Sequence, residues 1–157
     1  MGRRYFPWML ALAGLFVLRV LAQLIQAIHP VSFLPPFQVW HGAVLPYPLL
    51  VASQIAVILV LASLLWWVRT DTISPSSWKY RVCFILGGTY FSFMGFRLFA
   101  GLTFLADHPW FSKSLPAFFH VVLATFVLML GHYLYKEHAK RLSRSGGLAT
   151  AREEQRG

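Results

Sequence analysis

The chain has 157 residues, of which 57% are hydrophobic, 17% aromatic and only 12% charged. Soluble domains run near ~25% charged, so this composition excludes an ordinary water-facing globule, and its apolar content excludes a disordered chain. The single cysteine, Cys83, excludes a disulfide framework or a cysteine-built metal site within one chain, while the net charge of +9 has no meaning until the charges are placed.

Four apolar runs, near 6–28, 47–68, 82–106 and 116–135, each supply the roughly 20 helical residues that cross a hydrocarbon core about 30 Å thick. They predict an all-α integral membrane protein: a four-transmembrane-helix bundle with both termini cytoplasmic, residues 1–142 forming one membrane domain. Trp and Tyr residues flank the runs at headgroup depth, among them Trp8, Tyr47, Trp66, Trp67, Trp78, Tyr80 and Tyr135.

The first run follows Arg3 and Arg4. It is longer than a signal-peptide core, and Ala11 and Ala13 fall too early for a cleavage site, so it reads as a retained helix. Arg19, Gln23 and Gln26, at i, i+4 and i+7, share about 60° of its circumference and make one polar stripe that ends near His29. The connection that follows, 30–46, carries no formal charge and is broken by Pro30, Pro35, Pro36 and Pro46. It is expected at the membrane interface or over the bundle mouth, with Gln38 and Trp40 meeting the helix ends. This apolar external loop is either a seal between the first two helices or a lid over an outward-facing site, to which it would add Trp40 and His41.

The second run brings Gln54. A short turn through Ser74-Pro75-Ser76-Ser77 leads to the third, where Tyr90, Arg97 and Gly101 share one face and Gly88, Ser92 and Gly95 form a small-residue face suited to close helix contact. The fourth run carries His120 near its start and His132 near its end. Residues 143–157, with Ser145-Gly146-Gly147 and mixed charges, read as a mobile basic cytoplasmic tail.

The charges now have a place. Arg3, Arg4, Arg69, Lys79, Arg81, Lys136, Lys140, Arg141, Arg144, Arg152 and Arg156 fall on one side and Lys113 alone on the other. By the positive-inside rule the termini lie in the cytoplasm, as in a multi-pass protein of the plasma (inner) membrane. The positive charge is thus a topology signal, and nucleic acid is not an expected partner. Arg19 and Arg97 are not explained by orientation. An arginine near a helix centre costs a few kcal/mol on insertion scales and seeks a partner. Yet none of the five carboxylates lies within a span, and Asp107 is about 15 Å along the helix axis from Arg97.

The leading expectation is therefore a non-catalytic accessory, anchor or assembly subunit. Its outward-side polar pocket, Arg19, Gln23, Gln26, Gln54, Tyr90 and Arg97 with Trp40 and His41, takes a lipid or cofactor headgroup or a partner's acidic group. The expected partners are membrane lipids and another membrane protein subunit. One alternative is a b-type haem or quinone-reactive electron-transfer subunit, with His29 and His120 as the histidine pair on facing helices at one depth. The external histidines also leave copper or zinc open. Motifs for nucleophilic or phosphoryl chemistry are missing, but Arg, His and Tyr alone can build an intramembrane site. The remaining alternative is accordingly a small membrane enzyme or carrier for a lipophilic substrate, centred on His41 and Arg97.

Overall fold

The computed structural model describes residues 2–34, 46–105, 108, 111 and 114–154. Four helices account for nearly all of them: α1 (Gly2–Ile28), α2 (Tyr47–Arg69), α3 (Ser77–Leu102) and α4 (Ser114–Glu154). All four are long and apolar enough to cross a membrane, α4 by its part Ser114–Ser145.

The helix ends differ from the sequence reading in instructive ways. Pro7, a residue suited to a helix start, sits inside α1, which runs back to Gly2. The first turn of α3 takes in Trp78, Lys79 and Tyr80, whose long side chains suit an interface. At 41 residues α4 is about 61 Å long, roughly twice the hydrocarbon thickness, and it continues as helix through the segment expected as a tail. Its continuation past Tyr135 begins with Lys136, Glu137, Ala139, Lys140 and Arg141, good helix formers that carry the backbone on after the apolar run has ended.

Burial in α1 falls on Met9, Ala13, Phe16, Val20 and Gln23, and in α2 on Gln54, Leu61, Leu65 and Val68. Both sets keep the 3–4 spacing of a left-handed bundle, in which the side chains of one helix fill the hollows of the next. The apolar members of both sets form one core with Phe126, Leu130, Tyr133 and Leu134 of α4. Helices in lipid gain no hydrophobic energy by meeting, so in a membrane such seams depend on close packing and polar contacts. The backbone packs along three seams, α1 with α2, α1 with α4 and α4 with α3. Consecutive helices run antiparallel, and the side between α2 and α3 stays open.

The α4–α3 seam is the closest. A Cβ on Gly131 would stand 2.9 Å from Cβ of Cys83, and one on Gly87 would stand 3.1 Å from the Leu128 side chain. Gly88 and Gly95, the glycines of the expected small-residue face, have nothing within 4 Å. The close approach thus sits one position away from that face. At the far end of α3, a Cβ on Gly101 would collide with the Phe111 carbonyl.

Tyr residues, Asp71 and the start of α1 gather at the end holding the α2–α3 connection. Tyr5 packs edge-on to Tyr133 at 6.0 Å, and Tyr80 packs edge-on to Tyr135 at 5.4 Å. Arg69 lies over the Phe6 ring at 5.6 Å. Tyr133, 1% exposed, donates its hydroxyl hydrogen to Asp71 Oδ1 at 2.9 Å. Asp71 holds a left-handed backbone, φ 50°, just after α2. Its N–H bonds the Val68 carbonyl while Thr72 N–H bonds that of Trp67, the paired closure of a Schellman cap with Asp where glycine is usual.

Candidate functional site

Toward the other end of the bundle the stripe on α1 faces inward. Arg19 is 8% exposed, Gln23 1% and Gln26 7%, and across the α1–α2 seam Gln54 is 5% exposed. The spacing that places the stripe on one face also places it in the packing seam, so polar groups occupy positions that Phe16 and Val20 fill one turn earlier.

Each amide has a distinct role. Gln54 Nε2 donates to Gln23 Oε1 at 2.9 Å, a buried bond that fixes α1 against α2. Gln26 Oε1 accepts the Val31 backbone N–H at 3.0 Å and so ties down the chain just after α1. Gln26 therefore anchors the connection, and Gln23 keeps its Nε2 buried with no hydrogen-bond partner among the described residues.

Arg19 crosses toward α4. Its guanidinium carbon lies 5.4 Å from the centre of the Phe119 ring, while its Nε is buried and has no hydrogen-bond partner among the described residues. A cation over an aromatic face is attracted to it, but the ring leaves an N–H donor in the guanidinium plane unsatisfied. Beside Phe119, His120 Nδ1 and the Tyr90 hydroxyl are 2.7 Å apart, which joins α4 to α3. Half-buried Arg97 lies within electrostatic reach of Tyr90, and Arg19 and Arg97 both lie within reach of the His120 ring.

The structure thus gathers Arg19, Gln23 and Gln54 on one side and Tyr90, Arg97 and His120 on the other, with Phe119 between. Phe119 was missed because an aromatic beside a histidine in an apolar run carries no signal of its own; its register opposite Arg19 is what matters. His29 is exposed at the end of α1, about 15 Å along the axis beyond Arg19, and its N–H bonds the Ile25 carbonyl. The backbone of His29 thus bonds within its own helix end, while the ring of His120 bonds Tyr90. His132 packs against Tyr5 at the opposite end. Trp40, His41, Gln38 and Asp107 lie outside the described residues. Among the described residues no three of His, Cys, Asp and Glu converge as a metal site.

At the mouth of the α1–α2 hairpin, Gln26, Ala27, Pro30 and Tyr47 line a cleft of about 440 Å³. The side chains of the cluster below it offer chiefly N–H donors and positive charge, a set suited to holding oxygen acceptors. No family model matches the chain, and neither a curated protein nor a solved structure matches it.

Proposed function

We propose that the chain is a non-catalytic accessory, anchor or assembly subunit of a membrane, whose buried cluster holds one anionic, oxygen-bearing group. The carrying observation is the pair of orphan donors on α1, Arg19 Nε and Gln23 Nε2, one helical turn apart and both buried. A buried donor left without an acceptor costs about 1–3 kcal/mol. A phosphate or carboxylate oxygen relieves both donors and balances the guanidinium charge, and arginine suits such groups through its fixed fork of donors. The distribution of Lys and Arg supports an orientation with both termini in the cytoplasm of the plasma membrane, which puts the cluster in the outer half of the bilayer.

The group comes either from a lipid headgroup or from an acidic side chain of a partner subunit, and one experiment separates the two. The protein and its Arg19→Leu variant are purified gently and weighed by native mass spectrometry, with lipid and co-purifying protein counted separately. Loss of a bound phospholipid in the variant identifies the headgroup, and loss of a protein identifies the partner. If both stay at wild-type occupancy, the reading fails.

A second reading follows from the Tyr90–His120 hydrogen bond, a phenol and an imidazole joined beside two arginines. A quinone in this cluster would find donors for its carbonyl oxygen and a Tyr–His pair able to share a proton. Solvent extraction of the purified protein checks it, since absence of a redox-active quinone in the extract removes this reading.

A further inference from the structure

The open side between α2 and α3 is a second feature, separate from the polar cluster. Leu64 and Trp67 of α2, Val82 and Cys83 of α3, and Leu134 of α4 line a groove of about 320 Å³ there, with Lys79 at its rim. Its walls are almost wholly apolar, and its volume lies within the range of sites that hold small ligands. In a bilayer, an apolar slot opening sideways between two helices meets hydrocarbon.

The rim says which lipid. Lys79 Nζ donates to the Ser74 carbonyl at 3.0 Å, which holds the ammonium at the slot while leaving two of its three donors unused. Arg69 and Arg81 bound the same connection, and its one carboxylate, Asp71, is already bonded by Tyr133. Trp67 and Trp78 flank the groove with indoles suited to headgroup depth. Apolar walls below a cationic rim complement one molecule: an acyl chain carrying a negative headgroup.

We infer that the α2–α3 groove is a binding site for an anionic phospholipid, its acyl chain between Leu64 and Val82 and its phosphate at Lys79. The site does not depend on the occupant of the Arg19 cluster, because no residue is shared.

The full chain is reconstituted in nanodiscs of equal phosphatidylglycerol and phosphatidylcholine, and lipids retained after release are counted by native mass spectrometry. The wild type is expected to keep one phosphatidylglycerol in preference to phosphatidylcholine. Near an anionic headgroup one cation is worth about fivefold in affinity, so Lys79→Ala loses that much retention, whereas Lys140→Ala, on α4 and not in the groove lining, does not. Val82→Trp fills the groove and abolishes retention. Should it not fold, as judged by helical circular dichroism and a monodisperse elution, Val82→Phe replaces it. Equal retention of the two lipids, or undiminished phosphatidylglycerol in either Lys79→Ala or the groove-filling variant, overturns the proposal. So does a wild-type dimer that the groove-filling variant converts to monomer, since the occupant is then a second copy of the chain.

Discussion

At the end of the bundle that holds Asp71, Tyr133 gives its hydroxyl hydrogen to a carboxylate, and the Tyr5 ring packs edge-on against it. Nearer the other end, Arg19 and Gln23 each keep a buried donor with no acceptor. Both regions bury polar atoms among apolar helices, and they leave different atoms unmatched: beside Tyr133 an acceptor, Glu137 Oε1, and on α1 two donors, Arg19 Nε and Gln23 Nε2, none with a hydrogen-bond partner among the described residues. A satisfied bond serves to hold helices together, whereas a buried orphan costs stability that something outside must offset. The contrast separates a bond that joins α4 to the α2–α3 connection from a donor pair beside a guanidinium that supports the binding of an oxygen-bearing anion.

The largest expected effect strikes the closed end. Gly131→Leu forces α3 and α4 apart where a Cβ already stands 2.9 Å from Cys83, and costs about 1–3 kcal/mol in a denaturant titration of the detergent-solubilised protein. Gly88→Leu, facing open space one position from Gly87, changes stability by less than about 0.5 kcal/mol. If both variants lose stability equally, the closed end owes nothing to this contact.

Next comes a difference of sign. Tyr133→Phe removes the bond to Asp71 and costs about 0.5–1.5 kcal/mol in the same titration. Arg19→Leu, measured on lipid-stripped protein, leaves stability unchanged or raises it, because an orphan donor and a buried charge are removed together. A loss there as large as that of Tyr133→Phe would erase the distinction between the two regions. The smallest effect is the Gln23–Gln54 bond. A double-mutant cycle with Gln23→Leu and Gln54→Leu is expected to give a coupling of about 0.6 kcal/mol, typical of polar contacts between helices in lipid.

Much of the fold was legible because it depends on runs and periods. Four apolar stretches became four helices, and Arg19, Gln23 and Gln26 turned inward together because their spacing allows no other arrangement on one helix. A period, however, describes one helix and says nothing of its neighbour. It did not show that Gln26 would bond Val31 while Gln23 met Gln54, or that Phe119 would lie against Arg19. The small-residue face was off by one position for the same reason. Gly87 and Gly88 are adjacent in sequence but point about 100° apart, and only the packing partner decides which is used. The Asp71–Tyr133 bond joins residues 62 positions apart, beyond the reach of any local pattern.

The seam between α1 and α4 has a consequence in time. The α1–α2 hairpin is complete before α3 and α4 are made, so Gln23 can meet Gln54 early. Arg19, by contrast, meets Phe119 about a hundred positions later, on α4, which is made after the other three helices. Until α4 is made and docks, the guanidinium lacks that ring. An uncovered Arg19 is therefore the mark of a bundle that α4 has not yet joined.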